Sequence, residues 1–241
     1  MTHITKHVVV VGHGSTRRPD AAVSTQNISR HLFASSRFDA VHCAFMKQET
    51  KVDDLFSYLP NGIDLEVVPH FAAHGAFVED RLTNYLKKES DRFHSAKIHK
   101  ALGVHPGIAR HLIDQAQAHA VEDVVIVAHG STVSAGPALT AQKMCDDIKA
   151  TGLNTHVLFL SNEPNLNDWR ELDLGRNVMV CPILAGRGVH LCEDVPNAFM
   201  LDETPRSGLP YAIDGHCIRF EYPLMDDKLL ADISLQQLCS A

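Results

Sequence analysis

The chain lacks any hydrophobic run long enough to cross a membrane. Near its start four consecutive valines, Val8 to Val11, stop at a glycine, far short of the roughly 20 apolar residues a spanning helix needs. The same run is too short for a secretory leader, and the chain reads as cytoplasmic. It also lacks an excess of basic residues. Lys and Arg number 22 against 29 Asp and Glu, a formal charge of −7 over 241 residues. That balance argues against a general nucleic-acid binder but allows a local basic pocket for an acidic ligand. Finally, no Cys-x-x-Cys pair occurs among Cys43, Cys145, Cys181, Cys192, Cys217 and Cys239. Their scatter suits reduced, mostly buried thiols better than a zinc knuckle, an iron–sulfur site or a disulfide frame.

What the chain has in excess is histidine, 16 in all. His94, His99, His111, His119 and His156 lie among polar residues with no partner in view, and read as surface residues. Two others recur in one setting: "VVVVGHGSTRRP" from Val8 and "VVIVAHGSTVSAGP" from Val124. The likeness continues through "CAFMKQETKVDDLF" and "VLFLSNEPNLNDWR", then "LEVVPHFAAHGAFVEDRL" and "VMVCPILAGRGVHLCEDVP". Offsets are 116 residues at His13 and His129, 114 at Glu49 and Glu163, and 113 at Pro69 and Pro182. Three anchors in one order point to a duplicated domain. We place one copy over residues 1–120 and the other over 121–241.

Within each copy, apolar runs alternate with amphipathic stretches. "HVVVVG", "VHCAFM" and "DLEVVPHF" read as strands, and "FVEDRLTNYLKK" as a helix with Phe77, Leu82 and Leu86 inward. "DVVIVAHG", "PALTAQKMCDDIKA", "THVLFLS" and "NVMVCPIL" repeat the order. Near-continuous apolar strands between helices predict an α/β fold with parallel sheets covered on both faces. Such sheets bind ligands at the carboxyl ends of their strands, where both His-Gly-Ser segments fall. Gly-Ser there opens toward a helix, so a phosphate or carboxylate site is one reading and a simple turn another; Ser15 and Ser131 are candidate caps or ligands. In the second copy His190 follows a loop with Gly186 and Gly188, and adjacent parallel strands would bring it beside His129. Two neutral imidazoles on a cleft suit a divalent first-row metal. Glu193 and Asp194 follow within about one helical turn; a carboxylate there can orient the imidazole, join the metal, accept a proton, or simply sit at a helix start.

This order of motifs ("GHGS", a glutamate after a strand, proline, a glycine loop, His and Glu-Asp, with "LGVHPGIARHLI" between the copies) resembles the class II tetrapyrrole metal chelatases. More narrowly it resembles the sirohydrochlorin cobaltochelatases and ferrochelatases of the CbiX type, over nearly the whole chain. The resemblance implies two flavodoxin-like domains facing each other across a cleft, where a divalent metal enters a cyclic tetrapyrrole. His129 and His190 would hold the metal, and Glu193, His13 or His74 would accept protons. The first copy departs from the pattern: Phe77 stands eight residues after Pro69, where the second has histidine. His74 takes that part only if another backbone path brings it there. Arg17, Arg18, Lys47 and Arg187 are candidates for the substrate's carboxylates. Cobalt, iron and nickel all suit such ligands, no organic cofactor is implied, and a single chain supplies the paired domains, so a monomer is expected with a homodimer left open. Two further readings are a non-catalytic metal or tetrapyrrole carrier of the same fold and a phosphoryl-transfer enzyme using His13 as nucleophile.

Overall fold

A computed structural model describes residues 4–75, 77–131 and 135–240. The first half builds β1 (Lys6–Gly12), β2 (Ala40–Phe45), β3 (Asp64–His70) and β4 (Ser95–Ile98), all parallel in the order β2-β1-β3-β4. The second builds β5 (Asp123–Ala128), β6 (Asn154–Phe159), β7 (Asn177–Pro182), β8 (Pro210–Ile213) and β9 (His216–Phe220), in the order β6-β5-β7-β9-β8. The fold is therefore α/β with two parallel sheets, as expected, apart from β8, which runs antiparallel at the edge. A turn at Asp214-Gly215 with both φ positive makes that hairpin. Asp-Gly is the standard two-residue signal for it, and the parallel expectation passed over it.

The valine runs are strands because both faces of each sheet are covered. Val8 and Val10 enter a core between the sheets, while Val9 and Val11 enter an outer core beneath Phe56, Leu82 and Leu86. In β5, Val124 and Ile126 face the central core, and Val125 and Val127 face an outer core built on Trp169, Phe199 and Phe220. Alternation with period two feeds both layers.

Seven α-helices among the described residues complete the halves: α1 (Val23–Ala34), α2 (Val52–Tyr58), α3 (Thr83–Glu89), α4 (Pro106–Ala118), α5 (Gly136–Lys149), α6 (Val195–Ala198) and α7 (Asp227–Cys239). The first helix of each half packs on the last helix of the other, α1 on α7 and α4 on α5. Ile28 and Leu32, Ile108 and Leu112, Met144 and Ile148, and Leu230 and Ile233 thus share one central core. Ser24 and Asn27 donate to Asp227, stitching α1 to α7. This exchange fixes the relative position of the two sheets.

Several histidines read as partnerless have carboxylate partners: His94 meets Asp64, buried His99 meets Glu66, and His156 meets Asp123. His111 on α4 meets Glu221, which follows β9, at 3.2 Å, so it ties the halves together. The hydrogen bond to Glu221 outweighs burial and raises the pKa of His111 above the ordinary 6.5. A raised folded-state value gives stability that is fully present below the unfolded pKa of about 6.5 and is lost as pH rises through the folded value. Glu221→Gln should therefore flatten the decline of Tm on the alkaline side of that range, measured by thermal melts across pH. An unchanged pH profile would remove the pair from the stability account. Among the cysteines, Cys145 and Cys181 are buried, Cys43, Cys192 and Cys217 half-buried and Cys239 exposed, all as free thiols; fewer are buried than expected. No helix among the described residues is long and apolar enough to cross a membrane.

Candidate metal centre

β1 and β5 end at the same kind of turn. After each strand the chain passes through a histidine into a glycine with positive φ, Gly14 at 66° and Gly130 at 74°. A Cβ on Gly130 would lie 2.2 Å from Asn162 Oδ1, and one on Gly14 would lie 2.7 Å from Gln48 Cβ. Glycine is thus required twice over, by backbone angle and by space. The turn lets His13 Nδ1–H donate to the Gly14 carbonyl and His129 Nδ1–H to the Gly130 carbonyl, each at 2.9 Å. Both rings are locked in one tautomer and present Nε2 outward.

The glycine loop after β7 brings His190 to His129. Leu191 and Val195, both buried in the outer core, anchor the turn that carries it. That turn, His190–Asp194, and its counterpart, Phe77–Leu82, are π-helical, a wide turn common at functional sites. The two imidazoles meet at right angles, with centroids 4.4 Å and Nε2 atoms 3.0 Å apart. His190 Nδ1–H donates to Asp194 Oδ2 at 2.6 Å. With both Nδ1 atoms committed as donors, each neutral ring presents an Nε2 lone pair to the other. Two lone pairs at 3.0 Å are satisfied by a proton or a cation between them. An ion at the usual nitrogen–metal distance of about 2 Å touches both. No third His, Cys, Asp or Glu completes a set of three ligands among the described residues, so other positions on an ion stay open to a second ligand.

The pair lines a cavity of about 640 Å³ between the halves. Ser131, Ser161, Gly186 and Gly188 line it from the second half, and His13, Lys47, Phe71 and Phe77 from the first. Its volume is in the range of small-molecule and cofactor sites. His13 is half-buried, and its pKa is lowered by burial, with smaller contributions from Lys47, His129 and Arg81 set against its hydrogen bond to Gly14. It is therefore neutral near pH 7.

Other expected site residues lie elsewhere. Glu193 faces Arg18 of the first half at 3.7 Å, not His190; the carboxylate on the imidazole is Asp194, at the i+4 spacing that shares a helical face. That spacing was in the sequence, beside Glu193 at i+3. His74 does not join His13: its Nδ1 accepts from the Ala101 N–H, and it lines a separate depression with Lys100 and His105. Phe77 instead sets its edge against His13 at 4.8 Å and 83°, filling the place His190 takes beside His129. Ser15 closes a local turn, its Oγ accepting from the N–H groups of Arg17 and Arg18, and caps no helix, since α1 begins only at Val23 after Ala22. Arg17 is exposed and, like Ser15, lies outside the cavity lining. Arg187 and Arg18 both reach Asp20, docking the glycine loop on the first half. Glu163 accepts from the Asn165 N–H and is likewise not in the lining.

Asp194 should matter through His190. Its replacement by alanine should weaken Co2+ binding about 10- to 100-fold, the usual cost of losing such an outer partner, as read by calorimetric titration. Asp194→Asn, which keeps an acceptor, should lose less; equal affinities for all three proteins would show that the carboxylate has no bearing on the pair.

The probable sirohydrochlorin cobaltochelatase of Halobacterium salinarum is 23% identical over 266 residues, covering 97% of this chain and 91% of that protein. SirB from Bacillus subtilis, solved with Fe3+, superposes with a TM-score of 0.76 at 15% identity, over 98% of this chain and 95% of SirB. DR2241 from Deinococcus radiodurans, a multi-domain protein with structural similarity to chelatases and two additional domains, gives 0.74 at 19% identity. It matches 98% of this chain, which spans only 55% of DR2241. These structures establish a shared fold. The CbiX family model matches twice, over residues 7–119 and 123–241, and the chain belongs to the CbiX family.

Proposed function

We propose that the chain inserts a divalent metal, cobalt or iron, into a cyclic tetrapyrrole of the sirohydrochlorin class. His129 and His190 present the metal, and the two halves, residues 1–120 and 121–241, enclose the macrocycle within one monomer. The observation that carries this reading is the pair of opposed Nε2 lone pairs on the wall of a cavity between the halves. The names of a relative and a neighbour support it, one a probable sirohydrochlorin cobaltochelatase and the other a structure holding Fe3+.

The residue chemistry fits the reaction. A divalent ion entering the macrocycle replaces two pyrrole N–H protons, so the site must release an ion and take up protons. Two imidazoles hold an ion weakly enough to pass it to four macrocyclic nitrogens, where a closed tetrahedral site would retain it. His13, neutral through burial and facing the same cavity, accepts protons. Glu193, paired with Arg18, is left with a part in holding the loop.

The test is an anaerobic absorbance assay of the purified protein with sirohydrochlorin and Co2+, Fe2+ or Ni2+ in turn. Turnover to the metallated macrocycle with Co2+ or Fe2+ is expected. Stoichiometric binding without turnover would replace this reading with that of a carrier.

A further inference from the structure

The two strand-end sites have diverged in one respect. Lys47 and Ser161 occupy equivalent positions, their N–H groups donating to the carbonyls of His13 and His129 at 2.9 and 3.0 Å. Likewise Arg81 stands four residues after Phe77, as Asp194 stands four after His190. The second half therefore has a hydroxyl and a carboxylate where the first has two cations. Both cations gather on Phe77, the residue in the place of His190. Lys47 Nζ lies 5.9 Å and the Arg81 guanidinium carbon 4.8 Å from its ring centroid, within cation–π range. Phe71 stacks on Phe77 with centroids 6.0 Å apart and fixes the ring. Both cations are exposed, and neither has a carboxylate partner among the described residues. Lys47 and Phe77 line the same cavity as the histidine pair, from the first half. In a chain of net charge −7, two unpaired cations held on one ring at a cavity are an anion-receptive feature.

We propose that the first-half copy of the duplicated site is a carboxylate-binding wall, in which Phe77 positions Lys47 and Arg81 to hold acidic groups on the periphery of the ligand. Duplication supplied two equivalent turns; one kept a metal pair, and the other exchanged it for a cation pair. A macrocycle bearing carboxylates is then seated in one orientation, its acidic edge on the first half and its open face toward His129 and His190. The identity of the ligand rests on the chelatase reading above; the anion-binding wall does not.

The experiment is a fluorescence titration of wild type, Lys47→Met/Arg81→Met and Lys47→Arg with sirohydrochlorin and with its fully esterified form, alongside steady-state kinetics and Co2+ titration. The double variant should raise Kd and KM for the free acid about tenfold, the order expected for two exposed ion pairs lost together. Its kcat should move far less and its Co2+ affinity should stay as in wild type. Lys47→Arg should retain tight binding, and the ester should bind wild type and double variant alike. Added salt should weaken the free acid's binding to wild type more than to the double variant. Wild-type Kd and KM in the double variant, with turnover intact, would overturn the wall and leave the chelatase reading standing. Cation-dependent binding without any metallated product would do the reverse.

Discussion

His190→Ala should reduce metal insertion by more than about a hundredfold, beyond the 10- to 100-fold cost of losing an outer partner, while sirohydrochlorin still binds. The substitution leaves His129 Nε2 facing solvent and Asp194 without its donor, so the two-nitrogen site ceases to exist. The His190 side chain is 46% exposed and supports no core packing, so the fold should tolerate the change within about 0.5 kcal/mol. Thermal melts and circular dichroism therefore separate lost chemistry from lost structure. His129→Ala should behave the same way, and the double variant should be little worse than either single one, because groups that act as a unit are not additive. Metal insertion at the wild-type rate in His190→Ala would remove the pair from the mechanism.

His70→Ala should act on stability alone. His70 is 1% exposed at the end of β3. Its Nε2–H donates to the Leu224 carbonyl of the second half, and its Nδ1 accepts from the Thr25 hydroxyl, both at 3.0 Å. Alanine leaves two buried groups unpaired, at about 1–3 kcal/mol each, together with a void. A total loss of about 3–5 kcal/mol corresponds to a fall in Tm on the order of 10 °C for a chain of this size. Burial lowers the pKa of His70, so this residue makes the native state bind fewer protons than the unfolded one. Its contribution is present above pH 6.5 and is lost as pH falls below that value toward the folded pKa; the variant should lack that part of the acid limb. Co2+ affinity should stay within about twofold, since His70 is absent from the cavity lining. A Tm within about 2 °C of wild type would show that the halves do not depend on this contact.

The same residue explains why one copy reads "GHGS" and the other "AHGS". A Cβ on Gly12 would sit 2.3 Å from Thr25 Oγ1, the group that reaches His70. In the second half Ala141 and Ile183 occupy the places of Thr25 and His70, both inside the central core. With no hydroxyl to accommodate, Ala128 fits. A one-residue difference between the repeats thus records a polar contact in one half and an apolar one in the other.

Much of the molecule was legible in its residues because the relevant forces are local. Valine-rich runs of strand length, glycine after a strand-end histidine, and recurrence of both at offsets near 115 determine the parallel sheets and the edge where the two histidines stand. The convergence of His129 and His190 follows from adjacent parallel strands of one sheet. Long-range packing decided the rest. Whether Asp194 or Glu193 serves His190 depends on how a wide turn, pinned by Leu191 and Val195, aims successive side chains. In the first copy Phe77 stands eight residues after Pro69, as His190 does after Pro182, so the phenyl ring takes the place beside His13, and His74 turns instead to the Ala101 amide. The partners of His70, His111 and Arg18 come from the opposite half, brought there by helices exchanged across the central core. Sequence periodicity reports which face of an element is apolar; it carries no record of which distant element will cover that face, and those pairings became visible only in three dimensions.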